Sequence, residues 1–172
     1  MKSTTLPDDC VRDAIDSPVG TLTLVASSRG LHFLGWDGAA WDALPVRPRQ
    51  EVLRDAKKQL AEYFARKRRV FDLPLVLDGT DFQLRAWREL LRIPYGQTIS
   101  YDEQARRVGD RNKARAVGMA NGQNRIAIVI PCHRVIAKSG ALAGFGGGVP
   151  NKRRLLDLEG AGAQLTLGGL HR

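Results

Sequence analysis

Cys132 is one of only two cysteines in the 172-residue chain, and His133 and Arg134 follow it directly. A thiol attacks as its thiolate, and neighbouring cationic groups favour that form. An apolar, β-branched run, Ile126-Ala127-Ile128-Val129-Ile130, leads through Pro131 into this tripeptide. It is too short for a typical helix and predicts a buried strand. Successive side chains on an extended backbone point to opposite faces, so His133 is expected to reach the sulfur through a bridging water. The alternative for a lone cysteine is a small buried hydrophobe, and Cys132 alone leaves both open. Cys10 lies far away, with no disulfide framework. His32 and His171 have no ligand-like spacing to each other or to the cysteines, so neither a catalytic metal nor a cofactor is expected.

The elements that must position this tripeptide fall into two halves. In the first, Val11–Asp16, Thr21–Val25 and Leu31–Trp36 read as strands. The separators Ser17-Pro18-Val19-Gly20 and Ser27-Ser28-Arg29-Gly30 have turn chemistry. Apolar residues from Val52 to Phe64 recur at helical spacing, predicting a helix over 51–66 that ends in the basic run Arg66-Lys67-Arg68-Arg69. Phe71, Leu73, Leu75 and Leu77 alternate like a half-buried strand, and Asp78-Gly79-Thr80 is the expected boundary. The second half reads as helices. Thr80 with Gln83 and Ser100 with Glu103 both look like capping boxes. The second of these helices closes at Gly109, and another spans about 112–121. Two short helices joined by a tight turn suggest a helix-turn-helix. Glycines 140, 144, 146, 147 and 148 mark a loop, and Pro150 opens a last helix that buries Leu155, Leu156 and Leu158 and ends at Glu159-Gly160. The fold class expected is α/β (α+β): a small sheet-plus-helix domain over 1–78 and a mainly helical domain over 79–172 carrying the cysteine. The tail after Gly160 is expected to be loosely held.

Charge separates the halves further. Residues 1–78 hold 12 Lys and Arg against 11 Asp and Glu, whereas residues 79–172 hold 15 against 7. An excess confined to one half fits a polyanionic partner, though a solvated basic surface has the same composition. No apolar run approaches the roughly 20 residues of a membrane span, and no secretory signal opens the chain. A reducing, cytoplasmic setting is therefore expected.

Ile130-Pro131-Cys132-His133-Arg134-Val135 resembles the active-site motif of the O6-alkylguanine-DNA alkyltransferases. The likeness extends to Ile99-Ser100-Tyr101, to Ala114-Arg115-Ala116-Val117-Gly118, to Asn124 eight residues before Cys132, and to Leu155–Gly160, in the family's order. It is close over about 80–160 and looser over 11–78, where Ser17-Pro18-Val19-Gly20 and Gly30-Leu31 fit the family's N-terminal domain.

This resemblance implies a base-flipping repair protein. Its helix-turn-helix would lie in the minor groove of double-stranded DNA containing O6-alkylguanine, with O4-alkylthymine a second candidate. Arg115 would enter the base stack and Tyr101 would push on the 3′ phosphate, because a stacked base must be extruded before its alkyl group can be reached. Cys132 would attack the alkyl carbon, His133 would take the thiol proton through water, Glu159 would orient the imidazole, and Asn124 would brace the turn. Backbone groups at Val135 and in Phe145-Gly146 would read the guanine edge. The chain departs from the family at Phe145, where many members carry Tyr, at Gly146, where others carry Ser or Ala, and at Arg125, where Pro is common. The product is a thioether that water does not hydrolyse, so a single turnover is expected from a monomer, with clustering along DNA left open. Three other readings remain: a non-enzymatic alkyltransferase-like protein, which the retained Cys132 opposes; a helix-turn-helix regulator, which the lack of a dimerisation helix opposes; and a cysteine hydrolase.

Overall fold

The Ser17 hydroxyl donates to Gly20 O at 2.6 Å and accepts from the Val19 N–H at 3.2 Å, the local bonding that suits serine to turns. It closes a hairpin between β1 (Val11–Ser17) and β2 (Gly20–Ser27). Strand β3 (Gly30–Gly35) pairs along the other side of β2, giving an antiparallel sheet of order β1-β2-β3. These are the three strands expected, β1 longer by one residue, β2 by three, and β3 shifted by one towards the N-terminus. In this computed structural model, which describes residues 5–162, the chain divides into two units, one ending at Asp78 and the other beginning at Gly79.

Helix α1 (Glu51–Phe64) lies against the sheet through Val52, Leu53, Ala56, Leu60 and Tyr63. The Gln50 side chain starts it, accepting from Leu53 N at 2.8 Å while donating to Ser27 O at 3.1 Å. The helix ends before the basic run, and Arg68 turns back onto Glu62 at 2.6 Å. The strand expected over Phe71–Leu77 is reduced to a single parallel bridge between Leu31 and Leu75. Pro74 has no N–H to extend a ladder, so Leu31 makes only two bonds with this segment, to Pro74 O at 2.8 Å and from Val76 N at 2.9 Å. Gly30 permits the approach: its φ is +145°, and a Cβ there would sit 2.5 Å from Pro74 O.

In the second unit, α2 (Asp81–Leu90) opens with a complete capping box between Thr80 and Gln83. Helix α3 (Tyr101–Val108) follows the two-residue strand β4 (Ile99–Ser100), and only half of its expected box exists. Ser100 Oγ accepts from Glu103 N at 3.1 Å. The Glu103 carboxylate instead holds Arg106 and Arg107 at 2.6–2.8 Å, bonds that pull its carboxyl down to about 2. Gly109, with φ +111°, ends α3. A 3-10 turn, Arg111–Lys113, precedes α4 (Ala114–Gly122), so the α-helix begins two residues later than its sequence suggests. Helices α2, α3 and α4 pack on one another. Trp87 Nε1 donates to Ala120 O at 2.8 Å, and the buried amides of Gln104 and Asn121 bond reciprocally at 2.9 and 2.7 Å.

The predicted strand over 126–130 is not one. Val129 N donates to Ala127 O at 2.8 Å and Ile130 N to Ile126 O at 3.0 Å, so the run folds into a tight turn with Ile128 at φ +72°. All five residues are buried. The segment bridges only to itself, Ala127 to Ile130, so it satisfies its polar groups locally. After Cys132 the chain forms β5 (Val135–Ile136), parallel to β4, and then α5 (Val149–Leu158), with Pro150 in its first turn. Leu155 and Leu156 are buried as expected, but Leu158 is half-exposed and Lys152 takes its place in the core. The tail beyond Gly162, with His171, lies outside the described residues.

Candidate active site

A single side chain both shapes the turn and meets the thiol. Asn124 Oδ1 accepts from Ile126 N at 3.0 Å, and its Nδ2 donates to Ile130 O at 2.8 Å while lying 3.3 Å from Cys132 Sγ. The clamped turn delivers Pro131 and a 3-10 turn formed by Cys132-His133-Arg134. Cys132 is nearly enclosed, at 9% exposure. Burial pushes its thiol up, and the Asn124 hydrogen bond and the Lys152 ammonium only partly offset this. The sulfur therefore rests as a thiol, and attack requires a base.

His133 is fully buried, with Nε2 2.8 Å from Glu159 Oε1. Burial alone would raise the Glu159 carboxyl, but the bonds and charges of His133 and Arg134 hold it well below the usual range. Facing an anion, Nε2 carries the ring hydrogen and donates, which leaves Nδ1 as the basic nitrogen. Nδ1 has no hydrogen-bond partner among the described residues. Burial, outweighing the pull of Glu159, keeps the imidazole below its ordinary value, and Arg134 adds to this. His133 is thus neutral at pH 7 and able to accept a proton.

Arg134 binds both carboxylate oxygens of Glu159, Nε to Oε2 and Nη2 to Oε1, each at 2.9 Å, and its Nη1 donates to Ile93 O at 2.7 Å. Gly96 N donates to Glu159 Oε2 at 3.3 Å. Gly96 has φ +78°, and a Cβ there would come within 2.9 Å of Glu159 O. Neither Arg134 nor Gly96 stands out by spacing. Their signal is adjacency, a cation beside the nucleophile and a glycine in the turn after α2.

The substrate-side residues are less tightly gathered. Tyr101 opens α3, its ring 3.7 Å from where a Cβ on Gly118 of α4 would lie, and its hydroxyl donates to Ala143 O at 3.2 Å. Burial, with the nearby Cys132, pushes its phenol up. Val135 is buried, with its N–H on Cys132 O and its carbonyl accepting from Lys152 Nζ at 2.7 Å. Arg115 projects into solvent from α4, Phe145 is half-buried, and Gly146 is exposed, with open space where a Cβ would lie. Cys132, Asn124, His133 and Glu159 therefore form one connected group. Tyr101 and Val135 border it, and Arg115, Phe145 and Gly146 lie outside those contacts. The sequence reading missed Lys152, although it occupies the apolar stripe 152, 155, 156, 159 at helical spacing.

A small antiparallel sheet with one helix, followed by a helical unit that seats a thiol beside a buried imidazole–carboxylate pair, defines the class. Residues 10–77 match the ribonuclease-like domain and residues 81–161 the DNA-binding domain of the 6-O-methylguanine DNA methyltransferases. The chain belongs to that family. The methylated-DNA–protein-cysteine methyltransferase of Mycobacterium tuberculosis is 48% identical over 157 residues, 89% of this chain and 95% of that protein. Its namesake from Methanosarcina acetivorans is 40% identical over 149 residues, 85% of this chain and 96% of that one. Among solved structures, Mycobacterium tuberculosis OGT in complex with DNA superposes with a TM-score of 0.81 at 46% identity, covering 90% of this chain and 98% of that one.

Proposed function

We propose that this protein repairs DNA by direct reversal, moving the alkyl group of O6-alkylguanine onto Cys132 Sγ in a single turnover. The observation that carries this is the buried His133. Its Nε2 is tied to an anionic Glu159 and its Nδ1 is left basic, immediately beside a thiol in a DNA-binding domain. The relatives that carry the name methylated-DNA–protein-cysteine methyltransferase support the same reading.

The thiol proton passes through water to His133 Nδ1, and Glu159 stabilises the imidazolium. Sγ then attacks the alkyl carbon in line, the S–C bond forming as the C–O bond breaks. The electron pair of that bond goes to the guanine oxygen, and protonation of the base restores guanine. Asn124 holds the sulfur in place and its turn closed. Arg115, on the exposed face of α4, occupies the gap that the extruded base leaves. Tyr101 meets the backbone phosphate and donates toward the base, while Val135 and Phe145-Gly146 border the guanine edge. Among the described residues, no second cysteine lies beside Cys132 to cleave the thioether. Nucleophile, base and carboxylate come from one unit of one chain, which suits a monomer acting on duplex DNA. A lone reactive thiol suits the reducing cytoplasm.

Intact-mass spectrometry after incubation with O6-methylguanine DNA tests this. One methyl per protein is expected, placed by peptide mapping on Cys132 and not on Cys10. Release of more than one equivalent of repaired base, or full activity in Cys132→Ser, would refute it.

A further inference from the structure

Among the described residues of the second unit, one buried charge has no opposite charge paired with it. Lys152 has no exposed surface and no carboxylate partner. Its ammonium donates to Val135 O at 2.7 Å and to Ala143 O at 3.1 Å, and lies 5.8 Å from the centroid of the Tyr101 ring. Burying an ammonium is costly unless it is well paired. An aliphatic residue at this point of the 152–155–156–159 stripe would fill the space without that cost. A lysine here therefore calls for a use of its charge.

The geometry points to Lys152 as the positioning cation of alkyl transfer, a fixed counter-charge to the thiolate that Cys132 becomes. This deepens the reading of Cys132 as alkyl acceptor and rests on it. The ammonium is held by carbonyls on both sides of the site, Val135 just after the 3-10 turn and Ala143 in the glycine-rich loop. The Ala143 carbonyl also receives the Tyr101 hydroxyl at 3.2 Å, so one buried cation braces the loop against α3. Lys152 and Cys132 act on each other's ionisation in opposite senses. The ammonium eases loss of the thiol proton, and the thiolate favours the charged amine, which burial otherwise disfavours. The remaining charged and titratable groups do not supply this balance. Glu159 and Arg134 neutralise each other, His133 is neutral at rest, and Tyr101 is engaged with Ala143 O. Lys152 is left as the uncompensated positive charge held on Val135 O, beside the 3-10 turn that carries the sulfur.

The test follows Cys132 carboxamidomethylation by iodoacetamide against pH in the full-length protein, read by peptide mass spectrometry so that Cys10 does not contribute. Lys152→Met keeps most of the volume and loses the charge. Its midpoint should rise by roughly one to two pH units, slowing the reaction at pH 7 on the order of tenfold or more. Lys152→Arg, which keeps the charge, should recover part of that shift. An unmoved midpoint in folded Lys152→Met overturns the proposal, however much repair slows. If Lys152→Met does not fold, the coupling is read from the other partner, since it is reciprocal. The Lys152 Cε resonance should titrate at lower pH in Cys132→Ser than in the wild type, and identical titrations overturn the proposal. Neither measurement uses DNA. Failure of the acceptor reading, seen as no methyl on Cys132 after exposure to alkylated DNA, is therefore distinguishable.

Discussion

Glu159 accepts from the His133 imidazole, two guanidinium nitrogens of Arg134 and the Gly96 N–H. Its charge therefore has two tasks: neutralising a buried Arg134 and fixing the tautomer of His133. Glu159→Gln keeps the shape but leaves Arg134 buried without an anion, which costs about 3–5 kcal/mol. The variant should melt well below the wild type and transfer alkyl groups slowly at temperatures where it stays folded, with DNA affinity nearly unchanged. Thermal melts, single-turnover rates and a binding titration check this. Affinity falling in step with rate would make Glu159 purely structural. Acid acts on the same residues. Burial holds His133 below its ordinary 6.5, so the unfolded chain takes up a proton that the folded chain refuses. The stability that His133 contributes is complete above about 6.5 and declines as pH falls through that value. Glu159, held low by its partners, contributes stability that is present above its ordinary 4.5 and is lost as pH falls further. Both slopes have the same sign, so the amides of residues 132–135 should show lower protection factors, corrected for the intrinsic pH dependence of exchange, at pH 5.5 than at pH 7.5. His32 is also held low by burial, but it lies in the first unit, and reading exchange locally keeps the two apart.

Helices α3 and α4 form the helix-turn-helix, and their relative placement rests on polar pins as much as on apolar packing. Gln104 and Asn121 exchange amide hydrogen bonds in the core, and Gln104 also donates to Ala86 O at 3.3 Å, which ties in α2. Val117 and Ala120 face inward from α4, while Arg115 and Met119 face out. Arg115 is thus on the outer face of α4, outside the contacts made by Cys132. Arg115→Ala should slow repair of duplex DNA far more than alkylation by the free alkylated base, and equal losses on both would place its role in the chemistry. Helix placement was legible in the sequence because caps and periodicity are local, as Thr80, Gln83, Gly109 and Pro150 demonstrate. The 126–130 segment was not, because β-branched residues favour a strand, whereas the Asn124 side chain and backbone bonds within the run turn it back on itself. Glu103 looked like the second half of a capping box, yet two arginines one turn further on compete for its carboxylate and win. That Cys132, His133, Glu159 and Asn124 gather at one place was legible because the family motif carries them. Lys152 was hidden because a lysine reads as surface until burial and partners are known.

Across the described residues, the two units use charge differently. In the first, ion pairs join Arg12 to Asp42, Lys57 to Asp13 and Arg68 to Glu62, so much of its charge is balanced internally. The second carries 15 Lys and Arg against 7 Asp and Glu, and four of those acids already pair with basic residues of the same unit, Glu89 with Arg92, Glu103 with Arg106 and Arg107, Asp110 with Lys113 and Glu159 with Arg134. Arg85, Arg111 and Arg115 are exposed and make no ion pair among the described residues. Arg85 and Lys113 lie 6.0 and 5.4 Å from the Phe82 ring centroid, which links the start of α2 to the turn before α4 as one basic surface. A surface of this kind binds DNA through phosphates, and each phosphate contact releases counterions, so affinity falls as a power of salt concentration. With two to four such contacts, affinity for undamaged duplex should drop on the order of ten- to a hundredfold between about 50 and 200 mM salt. Arg85→Ala and Arg111→Ala should each flatten the log–log slope by about one. Arg115→Ala should leave the slope nearly unchanged, because a side chain in the base stack displaces no counterion. Fluorescence anisotropy on one duplex across a salt series measures all four proteins. A slope that flattens for Arg115→Ala but not for Arg85→Ala or Arg111→Ala would put the phosphate contacts on α4 itself and remove Arg115 from the stack.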